Sequence, residues 1–194
     1  MQGEAMKEKL TAVSIQLFEK KGFSETSIQD ICDAIGVTKG TFYYYFTSKE
    51  ELLMDIHKRY IDDMLQRQTE ILDDSASHYR EKLFDMVYMQ LHVIEQLGAS
   101  ARVFFREIRH LSEERLAEIV PKRTHFRENL ERLLQKGVEA GEFQPDLNVK
   151  IVTLGLLGMT NWSYQWFRPN GAMNDREVAE AFVNMVLRGI ARDD

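Results

Sequence analysis

Apolar residues recur at helical spacing along most of the chain, and this pattern predicts an all-α protein. Near the N-terminus they follow one another every three or four positions, on one face of a helix: Met6, Leu10, Val13 and Leu17. After residue 48 the helical spacing continues, without the alternation between turns that is typical of a half-buried strand. We therefore expect a fold of about nine helices.

Turn and capping residues mark two helices before residue 36. Gly22 follows two lysines and ends the first helix, because glycine adopts the left-handed conformation of a helix C-terminus at little cost. Thr26 and Gln29 form a T-x-x-Q capping box that begins the second helix. The inward face of this second helix carries Ile28, Ile31 and Ile35.

A third helix of only about two turns is expected next. Gly36 ends the preceding helix, and Thr38 is a favourable N-cap for the new one. Ser48, with Glu51 three positions later, forms a capping box for the helix that follows. A helix this short depends on packing, so we infer that it serves to present side chains. A helix, a glycine turn and a short helix make up the helix-turn-helix pattern, whose second helix enters the DNA major groove.

The side chains of the short helix fall on two faces. One face is aromatic and anchors the helix: Phe42, Tyr45 and Phe46. The other offers a cation, a residue without a side chain and two phenols: Lys39, Gly40, Tyr43 and Tyr44. This second set suits close approach to a phosphate-lined groove. The alternative is an ordinary aromatic core helix, but that would expose two adjacent tyrosines without structural benefit.

Residues 6–53 resemble the DNA-binding head of TetR-family transcriptional regulators. The resemblance rests on Leu17-Phe18, Lys20-Lys21-Gly22-Phe23, Thr26-Ser27-Ile28, Gly36-Val37, residues 39–46 and Lys49-Glu50-Glu51-Leu52. It implies a homodimer, a helix-turn-helix DNA-binding domain over residues 1–48, and an effector-binding and dimerisation domain over residues 49–194. It also implies that effector binding releases operator DNA. The family positions that contact bases or phosphates correspond to Thr26, Ser27, Thr38, Lys39, Gly40, Thr41, Tyr43, Tyr44 and Lys49.

Glycines and prolines divide the rest of the chain into further helices. We expect them over residues 49–73, 78–97, 101–110, 113–140, 147–167 and 175–190. Pro121 should kink or split the helix that contains it. The last two helices are apolar on more than one side, and their simplest additional partner is the same pair from a second subunit. The alternative is a fully buried hairpin in a monomer.

Polar and aromatic residues within the apolar body are candidates for effector binding. The set is Tyr88, His92, Phe105, Arg106, Arg109, Asn161, Trp162, Gln165 and Trp166. Arg106 and Arg109 stand three positions apart and could grip an anion together. Alternatively, the tryptophans are core or dimer anchors and the arginines pair with nearby glutamates.

The segment Gly155–Gly171 resembles the penultimate helix of a TetR subgroup that controls lipid catabolism and senses acyl-CoA thioesters. This resemblance implies an apolar tunnel for an acyl chain, with arginines near its mouth for the CoA phosphates. The alternative effector is a cationic or aromatic drug, as in efflux regulators, although the candidate lining is arginine-rich rather than acidic. A DNA-binding module that senses a partner protein is a further alternative.

Composition narrows the class of protein. The chain has 194 residues and a net charge of −6, so DNA binding depends on where charges lie rather than on their total. The single cysteine fits a reducing cytoplasm, and neither a membrane span nor a signal peptide is visible. Metal-ligand spacings, phosphate loops and nucleophile motifs are also missing, so we expect neither an enzyme nor a cofactor.

Overall fold

A computed structural model describes residues 2–188, and within this range the chain forms helices and no β-strand. The helices are α1 Gln2–Lys21, α2 Ile28–Ile35, α3 Lys39–Tyr45, α4 Lys49–Asp73, α5 Tyr79–Gln96, α6 Gly98–Arg106, α7 Glu113–Glu139, α8 Val149–Trp166 and α9 Asp175–Arg188, with a 3-10 helix at Ile108–His110. The all-α expectation is confirmed. None of the described helices combines the length and apolar character that crossing a membrane requires.

The described residues form two compact units. The first contains the residues up to Ile61 together with Ala99–Val120, and the second contains Asp62–Gly98 together with the residues from Pro121 onward. Helices α4 and α7 therefore each contribute residues to both units. The first unit holds the three N-terminal helices, and the second holds α5, α8 and α9.

In the first unit, the buried line of α1 differs from the expected one. Leu10, Ser14 and Phe18 are its most deeply buried side chains, whereas Val13 and Leu17 are only half-buried. Helix α1 packs against α2, and α2 packs against α3. Ile31 of α2 and Phe42 of α3 are fully buried as well. A sequence pattern that counts only apolar residues does not identify this buried face, because Ser14 occupies one of its positions.

The capping box of α2 lies one position later than predicted. Ser27 is the N-cap: its hydroxyl accepts a hydrogen bond from the Asp30 backbone N–H at 3.0 Å, and the Asp30 carboxylate accepts one from the Ser27 backbone N–H at 2.8 Å. Asp30 replaces Gln29 in the box because a charged acceptor makes the stronger bond at a helix N-terminus. The hydrogen bonds that the Asp30 carboxylate accepts from the backbone N–H and the hydroxyl of Ser27 lower the pKa of Asp30 below its usual range.

The predicted starts of α3 and α4 are confirmed, although the capping box at α4 differs in one bond. Gly36 ends α2 with φ 69°, and Thr38 caps α3 by accepting a hydrogen bond from the Thr41 backbone N–H at 3.2 Å. Ser48 accepts from the Glu51 backbone N–H at 3.0 Å at the start of α4. The Glu51 carboxylate reaches back to the Thr47 backbone N–H, at 2.6 Å, rather than to Ser48.

The middle of the chain departs from the expected breaks. Leu97, with φ −122° and ψ 36°, separates α5 from α6, so α6 begins at Gly98 instead of after residue 100. It ends at Arg106, before a separate 3-10 turn. Pro121 lies inside α7 without splitting it, since the helix runs from Glu113 to Glu139.

In the second unit, α5 packs against both α8 and α9. The α5–α8 contact includes a buried hydrogen bond, which the Thr160 hydroxyl donates to Gln90 Oε1 at 3.0 Å. Helices α4 and α7 are joined by Gln68, whose amide donates to the Phe126 carbonyl at 2.9 Å and whose oxygen accepts from Asn129 at 2.6 Å. Satisfied buried amides of this kind fix one register between helices.

Candidate nucleic-acid interface and effector region

Helix α3 presents its predicted polar face to solvent. Tyr44 is 80% exposed and Tyr43 is 53% exposed, although both are large aromatic residues. Lys39 and Gly40 on the same side are exposed as well. A cation, a backbone without a side chain and two phenol hydroxyls therefore point outward from one short helix, which is the set that phosphate and base contacts require.

The opposite face of α3 holds the helix in place. Phe42 and Phe46 are buried, with ring centroids 5.8 Å apart. The Tyr43 ring meets Phe42 edge-on at 5.6 Å, which restricts its orientation. Two buried rings thus anchor the helix firmly, and the outward phenols extend from a rigid base.

Gly40 is not required by the fold of α3 itself. A Cβ at this position would touch only the Thr38 hydroxyl oxygen, at an ordinary contact distance of 3.4 Å. Its φ is not positive, so the backbone conformation suits any residue. The space in front of Gly40 is therefore free for an external partner, and a side chain there would obstruct a close approach.

The hydroxyl groups predicted to contact DNA have different surroundings. Those of Ser27, Thr38 and Thr41 lie at the N-termini of α2 and α3, where backbone N–H groups favour anions. Ser27 and Thr38 are exposed. Thr26 is different, because its side chain is fully buried and donates to the Gly22 carbonyl at 2.8 Å. The expectation that the Thr26 hydroxyl faces DNA is therefore corrected: it closes the loop between α1 and α2.

Lys49 is also used internally, in contrast to its predicted role at a phosphate. Its ammonium donates to the carbonyls of Phe23 and Thr26, both at 2.6 Å, and lies 4.3 Å from the centre of the Phe23 ring. Burial lowers its pKa, against the opposing effect of the carboxylates of Glu25 and Asp30. Because these contacts hold the ammonium within the first unit, Lys49 is corrected from a phosphate contact to a clamp on the α1–α2 loop.

Contacts within the first unit join its N-terminal helices to α6 and α7. Arg102 of α6 forms a two-pronged ion pair with Glu19 of α1, both contacts at 2.6 Å. The carboxylate of Glu50, the second residue of α4, accepts from the Ser112 backbone N–H at 2.7 Å and lowers its own pKa in doing so. These links are not visible in the sequence pattern, because their partners are more than 60 residues apart.

Three predicted effector residues fall in the first unit. Phe105 stacks edge-on with Phe104 at 5.2 Å and lies 6.4 Å from Tyr60. Arg106 and Arg109 are exposed. The single helix predicted over residues 101–110 is wrong, because α6 ends at Arg106 and Arg109 belongs to the following 3-10 helix.

The other predicted effector residues fall in the second unit and divide into two groups. Tyr88 lies on α5, parallel to the Phe84 ring at 5.9 Å and 5.4 Å from the His92 ring. The group on α8 faces outward: Trp162 is 62% exposed and Trp166 45%, while Gln165 is exposed and Asn161 half-buried. The α8 group thus lies on a surface rather than around an enclosed space.

That surface of α8 carries exposed apolar side chains along most of its length, with Gln165 beside them. Ile151 and Leu154 are more than half exposed on the same side as Trp162. Gly155 and Gly158 lie between them, and a Cβ at either position would meet nothing within 4 Å. We call these residues, with Trp166, the α8 apolar face. Val183 of α9, an apolar residue of the helix that was predicted to share this contact, is buried inside the unit. Ile190, the last residue of that predicted helix, lies outside the described residues.

The second unit contains a cleft of about 430 Å³ at the other end of α8. Its lining includes Arg80, Leu83, Phe143, Leu147 and Val152. None of the predicted effector residues lines it. The cleft combines apolar walls with the charged residues Arg80 and Glu142. It could not be predicted from the sequence, because its lining residues come from separate helices and loops.

A cluster of titratable groups connects α5 to the start of α9. His92 Nδ1 lies 2.6 Å from a carboxylate oxygen of Asp175 and 3.6 Å from one of Glu95. Burial raises the pKa of Glu95, as does its hydrogen bond with Asp175. Burial acts in the same direction on Asp175, but hydrogen bonds from His92 and the Arg176 backbone outweigh it and lower that pKa. The His-x-x-Glu spacing of His92 and Glu95 on α5 is the one local signal of this cluster in the sequence.

Family models match both parts of the chain. The model for "Bacterial regulatory proteins, tetR family" matches residues 10–56, and that for "Tetracyclin repressor-like, C-terminal domain" matches residues 76–190. A curated relative is the HTH-type transcriptional repressor KstR2 of Rhodococcus jostii, 30% identical over 184 residues, which cover 94% of this chain and 89% of the relative.

Solved structures agree. The TetR-family regulator PfmR of Thermus thermophilus has a TM-score of 0.88 at 31% identity, with 94% of this chain and 99% of that chain covered. KstR2 of Mycobacterium tuberculosis, described as a ketosteroid transcriptional regulator, has a TM-score of 0.85 at 27% identity, with 96% and 95% covered. With the matching family models and the exposed face of α3, these similarities show that the chain belongs to the TetR family of DNA-binding transcriptional regulators, which are not enzymes.

Proposed function

We propose that the protein is a homodimeric repressor that binds operator DNA through α3 and is released by a hydrophobic effector, an acyl-CoA thioester. The observation that carries the DNA-binding part is the outward set of Lys39, Gly40, Tyr43 and Tyr44 on a helix anchored by buried rings. Membership of a DNA-binding family supports the same conclusion. Such a regulator works in the cytoplasm, where operator DNA is found.

In this proposal, DNA binding and effector binding belong to different parts of the chain. Residues 1–48 supply the DNA contacts, with Ser27, Thr38 and Thr41 at helix N-termini beside the four residues of the α3 face. Residues 49–194 supply dimerisation and effector binding. Thr26 and Lys49 act indirectly, since their hydrogen bonds hold the loop that precedes α2.

Dimerisation through the α8 apolar face would bring two α3 helices to one operator. Its exposed tryptophans and aliphatic residues form the kind of contiguous apolar surface that marks an interface. The open space at Gly155 and Gly158 allows a second helix to approach closely. Two recognition helices about 34–36 Å apart would then read successive turns of B-DNA.

The effector proposal rests on relatives and on charge. KstR2 is named as a ketosteroid regulator, and a Bacillus subtilis relative, 23% identical over 187 residues, is named "Fatty acid metabolism regulator protein". Both names associate these relatives with lipids, and the proposal carries this class of molecule to the present chain. Arg106 and Arg109 are exposed cations of the first unit, where CoA phosphates can be bound without burying their charge.

The contacts of α6 offer a route from effector to DNA. Arg102 binds Glu19, and the His110 ring stacks on Phe23 at 5.2 Å. Phe23 also supplies a carbonyl to Lys49. A displacement of α6 or of the 3-10 helix would therefore disturb the loop that positions α2 and α3. By linkage, DNA must weaken effector binding by the same factor by which effector weakens DNA binding.

Gel-shift titrations test the effector proposal. Long-chain or aromatic acyl-CoA should dissociate the protein–DNA complex, whereas the free acid and CoA alone should not. Arg106→Ala and Arg109→Ala should raise the acyl-CoA concentration required while leaving DNA affinity unchanged.

Arg67→Ala is the matched control for these variants, because this arginine pairs with Asp63 one turn away on the same helix. It should leave the titration unchanged. If the free acid acts as well as the thioester, the arginine–phosphate part of the proposal is wrong. If a cationic drug dissociates the complex and acyl-CoA does not, the efflux-type alternative replaces it.

A further inference from the structure

His92, Glu95 and Asp175 bring three metal-binding side chains together from two helices. His92 and Glu95 stand three positions apart on α5, so their side chains share one face. Asp175 is the first residue of α9 and is buried against them. One ligand atom from each residue lies within 4.8 Å of the others. The set contains one imidazole and two carboxylates, a common donor set for Zn²⁺.

The distances suit a metal ion after a small adjustment. Ligand atoms around a tetrahedral zinc are separated by roughly 3.3 Å, given metal–ligand bonds of about 2.0–2.1 Å. His92 Nδ1 already lies 3.6 Å from Glu95 Oε2. It lies 2.6 Å from Asp175 Oδ2, a hydrogen-bond distance that would open by less than about 1 Å as the ion replaced the shared proton.

The surroundings of the cluster favour a cation. The two carboxylates of the cluster carry negative charge when they are ionised, and a divalent cation bound between them balances this charge. The side chain of Arg176, which follows Asp175 in the chain, is engaged elsewhere, since its guanidinium lies over the Phe84 ring at 5.0 Å and pairs with Glu180. Its backbone N–H donates a hydrogen bond to Asp175 Oδ1.

A supporting residue for the imidazole is present as well. The Gln96 side-chain amide lies 2.7 Å from His92 Nε2. When the imidazole binds a metal through Nδ1, its Nε2–H needs an acceptor that fixes the ring orientation. A rotation of the Gln96 amide by half a turn presents its oxygen for this purpose, without any movement of α5.

We propose that His92, Glu95 and Asp175 bind a divalent transition-metal ion, with Zn²⁺ the preferred one. Three protein ligands leave a position for water, so the ion is held by the chain and remains open to exchange. The bound ion ties the first turn of α9 to α5 and stabilises the second unit. His92 then acts as a metal ligand rather than as part of the effector lining.

Zinc titration of the metal-stripped protein tests this proposal without DNA or effector, so its outcome is independent of the proposed repressor function. Isothermal titration calorimetry should show one Zn²⁺ per chain with a Kd of about 1 µM or tighter. Co²⁺ should give visible d–d absorption from a site with nitrogen and oxygen ligands. Thermal unfolding should shift upward with added Zn²⁺.

His92→Gln and Glu95→Gln should each weaken Zn²⁺ binding by roughly 100-fold or more and abolish the thermal shift. Both residues are half-buried, so circular dichroism should show an unchanged helical content. His78→Gln removes an exposed histidine that also lies 3.6 Å from a glutamate, Glu142, and serves as the control. The proposal is overturned if the wild-type protein does not bind Zn²⁺. It is also overturned if His92→Gln and Glu95→Gln both bind Zn²⁺ as tightly as the wild type.

Discussion

Helices α3 and α8 both leave large aromatic side chains in solvent, but the two surfaces differ in what they can bind. On α3, the exposed rings are tyrosines, and an exposed lysine and glycine lie beside them. On α8, the exposed rings are tryptophans, accompanied by Ile151, Leu154 and two glycines. One surface offers hydrogen bonds and charge, and the other offers apolar area almost alone.

This difference assigns a partner class to each surface. Phosphates and base edges need donors, which α3 supplies through its phenols and ammonium. The α8 apolar face has few groups to satisfy polar partners, so its stabilisation comes from apolar burial against another protein surface. Exposed aromatic residues alone do not identify the partner of a surface, and the neighbouring residues decide it.

Leu154→Arg should have the largest effect, because it places an unpaired charge in the proposed dimer interface. The dimer should weaken by about 3 kcal/mol or more, roughly 100-fold in Kd. Analytical ultracentrifugation measures this directly. Val120→Arg is the matched control: Val120 is similarly exposed, at 49%, but lies on α7, and the variant should remain dimeric.

Val183→Arg separates the core of the second unit from its surface. Val183 is buried within the described structure, so this variant should unfold the unit instead of producing a folded monomer. Circular dichroism and ultracentrifugation together distinguish the two results. A folded, monomeric Val183→Arg protein would show that the interface extends to this part of α9.

Lys49→Met and Lys39→Met should affect different properties. The Lys49 variant leaves buried carbonyls without a donor and should lower the free energy of unfolding by about 1–3 kcal/mol. The Lys39 variant should leave stability unchanged and reduce the slope of log affinity against log salt by about 0.9. Urea unfolding and salt-dependent DNA titrations measure both. A reduced salt slope with unchanged stability for Lys49→Met would return Lys49 to the phosphate contacts.

Gly40→Ala should change stability and DNA affinity in opposite directions. Alanine favours a helix interior over glycine by up to about 1 kcal/mol, and the new methyl group meets only the Thr38 hydroxyl within the chain. DNA affinity should nevertheless fall by about 10-fold or more, because the methyl group blocks the backbone approach. A stabilised variant with full DNA affinity would exclude close approach at this position.

Tyr44→Phe should give a smaller loss, of about 0.5–1.5 kcal/mol in DNA binding, since it removes one hydroxyl and keeps the ring. The loss should be the same for specific and unrelated duplexes if the hydroxyl contacts phosphate. Parallel fluorescence-anisotropy titrations on both duplexes provide the comparison. A loss confined to one sequence would instead assign Tyr44 to a base edge.

Glu50 should make the first unit sensitive to acid, with the smallest effect of the series. Its hydrogen bond from the Ser112 backbone lowers its pKa in the folded state. The resulting stabilisation is fully present above the unfolded pKa of about 4.3 and is lost as pH falls through the lower folded value. Glu50→Gln should therefore be less stable than wild type at neutral pH and equal to it in strong acid. A constant difference at all pH values would exclude this role.

The sequence was sufficient for the start of α3 and for its two faces, because the signals that determine them are local. Gly36, Thr38 and Ser48 determine where α3 begins and ends through contacts within a few residues. The period of an α-helix then separates Phe42 from Tyr44. The error in the α2 capping box is also local. The box is formed by Ser27 and Asp30, each one position after the predicted Thr26 and Gln29.

The clusters formed by distant residues could not be predicted in this way. Lys49 finds its carbonyl partners more than 20 residues earlier, and Asp175 meets His92 across 83 positions. Such contacts depend on how whole helices pack, which a pattern of apolar residues does not determine. Similarly, apolar residues on more than one side of α8 predict a packing partner for this helix. They do not determine which side of α8 stays exposed within one subunit.

Sedimentation equilibrium of the protein with a fluorescent duplex, selected by the protein from a random pool, tests whether a dimer joined through the α8 apolar face binds DNA through α3. We expect a dimer that binds the duplex as a unit, with Gly40→Ala dimeric but impaired in DNA binding and Leu154→Arg impaired in both. A monomeric wild type, or a Leu154→Arg monomer that binds the duplex with undiminished affinity, would contradict this expectation.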